Sequence, residues 1–166
     1  MDVFIRYKEI KKRLVEGAVF SEEFSEVFDS VAIDCPALWY TGQYQTAKDN
    51  VSVVCPVVYI EMPKAIKIDH FPRKLQVVKD AQIKIHILGT APYKGTDNAM
   101  QDAAIAKHQK MIDDVQLILN GWQMRDTNGS LMCSQFILVN ENTMNYMSSF
   151  AFSILTYKCE FYHKES

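Results

Sequence analysis

A chain of 166 residues, 48% hydrophobic and 23% charged, has the composition of a folded globular protein. It is long enough to bury a sizeable core without a disulfide or metal. Its 18 basic and 20 acidic residues leave a net charge of −2, so it exerts no global attraction on nucleic acid. No stretch approaches the ~20 apolar residues of a membrane-spanning helix. The opening Met1-Asp-Val-Phe-Ile-Arg-Tyr-Lys lacks the apolar run of a secretory signal, and a cytosolic setting, or a particle assembled there, is expected.

Residues 2–16 read as an amphipathic helix. Val3, Tyr7, Ile10 and Leu14 recur at helical spacing, while Arg6, Lys8, Lys11, Lys12 and Arg13 lie mostly off that stripe on a solvated face, and Gly17 fits the helix end. Ser21 has the chemistry of an N-cap, and Phe20 and Phe24 are spaced as a hydrophobic staple. With Val27, Phe28 and Val31 they predict a second helix over 21–30. Residues 36–45, with Trp39, Tyr40 and Tyr44, read as a strand, and 45–50 as a turn. Residues 51–61 are dense in Val, Ile and Tyr, which suits a strand buried on both faces. Pro56 within them predicts an edge position or a bulge near the strand's start. Residues 62–74, with two prolines and mixed charge, read as a long loop.

Residues 75–88 give the clearest strand, in which Ile83, Ile85 and Ile87 alternate with Lys84 and His86; Val77-Val78 marks a bulge where the facing changes. A loop over 89–98 leads to the major helix, expected over 99–120 and capped by Asp97 or Asn98. Its stripe is Ile105, Ile112, Val115 and Leu119, joined by His108 and Met111, and Gly121 can take the left-handed conformation that ends it. Asn128-Gly129 predicts a tight hairpin between 122–126 and 131–139. Residues 140–148 read as a polar loop. In the final strand, 149–162, Phe150, Phe152 and Ile154 keep one phase and Leu155, Tyr157, Cys159 and Phe161 the other, which predicts a bulge or bend at 154–155. The sum is an α+β fold in one domain over 1–166: a single mixed, mostly antiparallel sheet with one long helix packed on it plus N-terminal helices, residues 1–34 being a helical extension.

Chemistry is sparse. Cys35, Cys55, Cys133 and Cys159 form no Cys-x-x-Cys motif and are expected as reduced cysteines in partly buried strands. His70, His86, His108 and His163 lack the paired spacing of a zinc site, and His86 and His108 are expected as hydrogen-bonded structural residues. Asp113 and Asp114 are adjacent, hence about 100° apart around a helix, and share no site. Gly-x-Ser-x-Gly, the phosphate-binding loop and His-Glu-x-x-His are all absent. No catalytic, metal or cofactor residue is assigned and no enzyme is expected; a Cys–His couple such as Cys133 with His86 is the arrangement that would overturn this. Lys64, Lys67, Arg73, Lys74 and Lys79, with Phe71, form a basic segment that Asp69 and Asp80 interrupt, as in a solvated loop. Trp39, Tyr40, Tyr44 and Trp122 suit either a core or a protein interface.

The order of elements resembles a family. An N-terminal helix is followed by Leu38-Trp-Tyr-Thr-Gly-Gln-Tyr, by Pro56-Val-Val-Tyr-Ile-Glu, and by a long strand ending Ile83-Lys-Ile-His-Ile-Leu. One long helix then closes on Leu119-Asn-Gly-Trp, before a hairpin and an aromatic last strand. Over residues 38–162 this is similar to the tail-terminator and minor tail (head–tail joining) proteins of tailed phages, as in prophages of Bacteroides-like bacteria. The second helix at 21–30 departs from the family's single N-terminal helix. The resemblance implies a virion assembly protein with no cofactor, a ring subunit that caps the tail tube or joins it to the head. Its implied partners are itself, in a ring and commonly a hexamer, and tail-tube and head-completion proteins, with no membrane and no sequence-specific nucleic acid. Its place would be the virion or the host cytoplasm. The loops 62–74, 89–98 and 140–148 would carry contacts, with Trp39, Tyr40, Tyr44, Phe71, Arg73, Tyr93, Lys94 and Tyr146 as candidate interface residues. The alternative is a small cytosolic α+β binding module of unknown ligand.

Overall fold

The first helix, α1 (Val3–Glu16), starts where the Asp2 carboxylate accepts hydrogen bonds from the backbone N–H of Phe4 and Ile5, at 2.9 and 3.2 Å. It ends at Gly17, whose φ of 90° few other residues adopt. The computed structural model describes residues 1–21, 28–45, 54–64, 66–90, 98–147 and 150–164. Tyr7, Ile10 and Leu14 of the expected stripe are buried. Arg6, expected on the solvated face, is buried too: its guanidinium donates to the carbonyls of Asp2 and Tyr162 and lies over the Phe161 ring.

The described residues of the expected second helix, Ser21 and Phe28–Ser30, are strand, and 22–27 lie outside the described residues. Residues on both sides of 22–27 pair instead as an antiparallel hairpin of β1 (Ala18–Ser21) and β2 (Phe28–Val31), from Ala18↔Val31 to Ser21↔Phe28. The apolar spacing that imitates a helix belongs to two short β-prone runs, Val-Phe-Ser and Phe-Asp-Ser-Val. The proposed staple residue Phe24 lies outside the described residues. The described residues among the first 34 thus form one helix and a pair of strands, and α1 shares the main core with the sheet.

That sheet is mixed and mostly antiparallel, as its sequence pattern predicts. Its order is β3-β4-β6-β8-β7, with β5 also pairing β6. Among the described residues only β3 (Ala37–Trp39) and β4 (Val57–Glu61) run parallel. The strand expected over 36–45 is cut to β3, because the chain turns at Gly42 (φ 83°) and folds residues 40–45 over the sheet. β4 follows Pro56 directly, so the proline stands before the strand, and Val57–Ile60 are buried on both faces as expected. The predicted loop 62–74 contains a strand, β5 (Ile68–Phe71), joined to β6 (Leu75–Thr90) through Pro72–Lys74, where Arg73 and Lys74 take positive φ. No Gly or Asn announces that turn, which is why it reads as loop.

β6 and β8 (Phe150–Lys164) form the spine, paired from Leu75↔Lys164 to Thr90↔Phe150. The bulge falls at Lys79-Asp80, two residues past the expected Val77-Val78, with Asp80 at φ 56°. It lets Val78 before it and Ala81, Ile83, Ile85 and Ile87 after it face one core. No bulge interrupts β8 at 154–155: Ile154↔His86 and Leu155↔Ile85 are consecutive pairs. The apparent change of phase has another cause. Leu155, Tyr157, Cys159 and Phe161 face the main core, while Phe150 and Phe152 sit on the opposite face under a smaller second cluster.

Helix α2 (Asn98–Leu119) covers the main face with Ile112, Val115, Ile118 and Leu119. Ile105, expected on that stripe, is exposed, because only the second half of the helix lies against the core. Asp97 lies outside the described residues. Gly121 (φ 75°) ends the helix as predicted. The following turn is wider than a two-residue hairpin: the Asp126 carboxylate accepts from the N–H of Asn128 and Ser130, and only Gly129 has positive φ. The predicted loop 140–148 is mostly strand. β7 (Ile137–Tyr146) pairs with β8 and is interrupted near Val139 and at Thr143-Met144. As an exposed edge strand it buries little, so its polar sequence loses the alternation that marks a strand.

Ile85 is fully buried in the main core beneath the helices. Ile85→Ala should lower the free energy of unfolding by about 2–5 kcal/mol, read by urea titration. A loss well under that would place Ile85 outside the tightly packed centre.

Candidate functional site

Two regions of this fold carry side chains that packing alone does not use up: a buried polar network on the back of the sheet, and the two exposed edges of the sheet.

The network begins where residues 40–45 fold back. Tyr44 is 1% exposed, and its hydroxyl donates to His86 Nδ1 at 2.5 Å. The other ring nitrogen, Nε2, carries the proton and donates to the Glu61 carboxylate at 3.3 Å, which sets the tautomer. Tyr40 stacks flat on the imidazole, centroids 4.0 Å apart. Burial lowers the His86 pKa, helped by Lys84 and opposed by the hydrogen bond and charge of Glu61. Burial also raises both tyrosines, and the Glu61 charge adds to it. With the imidazole held neutral, the network works as a clamp that fixes the segment following β3. The imidazole and Tyr44 are buried, the network meets solvent at Glu61, and it presents no nucleophile.

A second buried histidine, His108 of α2, is 2.8 Å from Ser153 Oγ, which also accepts the Met144 N–H. Gly89 is required here, since a Cβ on it would stand 2.8 Å from His108 Nδ1. Burial lowers this imidazole's pKa as well. A couple of Cys133 with His86, which nothing in their spacing favours, is not assembled, because His86 bonds Tyr44 and Glu61 on the back face while Cys133 lies in the core of the other face. Among the described residues no three His, Cys, Asp or Glu side chains gather as a metal site. No described helix is long and apolar enough to cross a membrane.

The edges differ from each other. At the β3 edge, Trp39 is half-exposed and packs edge-on against Tyr7 (centroids 4.9 Å) and beside Phe4, which is 55% exposed. Leu38 is exposed on the opposite side of the same strand. At the β7 edge, Ile137 (60%), Val139 and Tyr146 (54%) are exposed. Among the proposed interface residues, Trp39 and Tyr146 thus lie on the two edges. Phe71 and Arg73 are exposed at the β5–β6 turn, with Lys79 Nζ 5.8 Å from the Phe71 ring centroid. Tyr40 and Tyr44 face inward as parts of the clamp, and Tyr93 and Lys94 lie outside the described residues. Sequence reading missed Phe4, Leu38, Ile137 and Val139. The available signal was apolar residues off the helical stripe in α1 and Ile-Leu-Val running straight into a polar stretch.

Part of the basic segment lines an open cleft of about 360 Å³ with Lys64, Lys67, Lys79 and Lys84, next to Glu61 and Asp80. Lys79 pairs with Asp69, and Asp80 pairs with Lys158, at 3.6 and 2.9 Å.

A comparison with protein-family models finds no match, and neither does one with curated proteins.

Between the lowered folded-state values of the two buried histidines and the free value of ~6.5, the unfolded chain binds more protons than the folded one. Stability is therefore full above ~6.5 and declines as the pH falls below it. The thermal unfolding midpoint should fall between about pH 7 and about pH 5, and less steeply in His86→Gln and in His108→Gln than in the wild type. Equal slopes in all three proteins would show that these imidazoles are not held neutral.

Proposed function

We propose that this chain is a phage virion assembly protein, a tail-terminator-like ring subunit that caps the tail tube or joins it to the head. The order of elements supports the family reading. The assembly reading rests on one observation: the two end strands of a single sheet carry different exposed apolar side chains, Phe4, Leu38 and Trp39 along one edge and Ile137, Val139 and Tyr146 along the other. Exposed apolar surface of this kind marks contact sites. Two unlike edges suit a head-to-tail interface, which closes into a ring when the rotation between subunits permits. The partners are further copies of the chain together with tail-tube and head-completion proteins, in the virion or the host cytoplasm. The role needs no catalysis and no cofactor, and neither contact with a membrane nor sequence-specific contact with nucleic acid.

A second reading, a small cytosolic α+β binding module, draws on the lysine-lined cleft, whose size suits a small anionic ligand. It predicts a monomer whose edges stay free.

Complementation of the edges separates the two readings. Trp39→Ser and Ile137→Asp should each abolish self-association of the protein, alone or with tail tubes, in light scattering. Mixed together, they should form a heterodimer and stop there, since one intact edge remains on each. A wild-type chain that stays monomeric with and without tail tubes would end the ring proposal. Self-association without complementation would point to a symmetric dimer.

A further inference from the structure

The main core holds a polar constellation that the assembly role does not use. Cys133 stands opposite Phe161 in an antiparallel bridge, flanked by the Ser134 N–H to Glu160 carbonyl bond (2.9 Å) and the Tyr162 N–H to Met132 carbonyl bond (2.8 Å). Cys159 lies two residues before Phe161 and so on the same face of β8, and both thiols belong to the main core. They are diagonal neighbours across this pair of strands. The Met124 N–H reaches Cys133 Sγ at 3.1 Å.

The third contributor is Arg6. It is 2% exposed, sits over the Phe161 ring at 5.3 Å, and acts electrostatically on both thiols. Its hydrogen bonds go to backbone carbonyls and its Nε has no partner among the described residues; the Asp2 charge acts on it, but no carboxylate there comes within salt-bridge distance. A buried cation favours a counter-charge within reach, and a thiolate at Cys133 supplies one. The other cysteines lack this setting: burial, with Asp34 nearby, pushes the Cys35 thiol up to about 11, and burial raises Cys55.

We propose that Cys133 and Cys159 are a redox couple that a hydroperoxide converts to an intramolecular disulfide, with Cys133 as the attacking thiolate. The Cys133 sulfur attacks one peroxide oxygen and the O–O bond breaks, leaving Cys133 sulfenic acid and a hydroxide or alkoxide that takes up a proton. The Cys159 sulfur then attacks the sulfenic sulfur. The S–S bond forms as the S–O bond breaks, and the departing hydroxide leaves as water with the Cys159 proton. The two sulfurs lose two electrons and the two peroxide oxygens gain them. The bond ties the hairpin after α2 to the spine strand, and a dithiol reductant reverses it.

The test uses the full chain. Folded protein is treated with hydrogen peroxide, unfolded, alkylated and cleaved after Lys and Arg. Mass spectrometry should find peptide 126–158 linked to peptide 159–164, lighter by two hydrogen atoms than the free pair and lost on reduction. In Cys159→Ser, dimedone should trap the sulfenic acid at Cys133 about tenfold faster than at Cys159 in Cys133→Ser. A Cys133 that over-oxidises without a link, or disulfides made chiefly to Cys35 or Cys55, would refute the couple. Equal labelling of the two thiols would refute the assignment of Cys133 as attacker. The wild-type cross-link decides the matter by itself if a serine variant fails to fold.

Discussion

The antiparallel pairing of β6 with β8 is the constraint on which the other elements depend. These two strands are long, central and buried along most of their length. One shared face gives α1 and α2 their packing surface, and the other gives the folded-back segment 40–45 its footing. A register slip of one residue would exchange Ile83, Ile85 and Ile87 for Gln82, Lys84 and His86 beneath the helices. The bulge at Lys79-Asp80 is what allows both ends of β6 to serve the same core, since it resets the facing without breaking the pairing with β8.

Apolar burial supplies the driving force but is not directional. Direction comes from a few buried or half-buried polar side chains, each bonded to a different part of the chain. Arg6 ties α1 to the end of β8 through the Tyr162 carbonyl. Arg13 Nε donates to the Ile118 carbonyl at 2.8 Å and stacks on Trp122, where a positive charge suits the carboxyl end of α2. His108 ties α2 to β8 through Ser153, and His86 holds Tyr44 over the sheet. Losing one partner of such a pair leaves a buried group unsatisfied, which costs more than the bond itself contributes.

Elements with their own punctuation were legible in the sequence. Both helices show it: Gly17 and Gly121 sit where the chain needs a positive φ, and Ile10, Leu14, Ile112 and Val115 keep the helical period. The isoleucine alternation in β6 and the α+β class followed from the same local signals. Four strands were illegible, for three reasons. β1 and β2 are short, and their apolar residues happen to fall at helical spacing. β5 turns into β6 through Pro72-Arg73-Lys74, residues that do not advertise positive φ. β7 is an edge that buries almost nothing, so no periodicity is imposed on it. The candidate surfaces divided in the same way. Trp39 and Tyr146 could be flagged as exposed aromatics, but that Tyr40 and Tyr44 point inward depends on a contact with His86 across 42 and 46 positions of sequence.

The form of β7 bears on how the chain behaves when crowded. An open sheet normally offers its last strand as a template, and flat apolar templates seed fibres. β7 withholds that offer. It is interrupted twice, Met144 turns through a positive φ of 57°, and Asn140, Asn142 and Asn145 stud its length. A foreign strand cannot run along it in continuous register. Whatever meets this edge must fit its side chains, so the protein keeps a sticky rim without becoming a nucleus for amyloid.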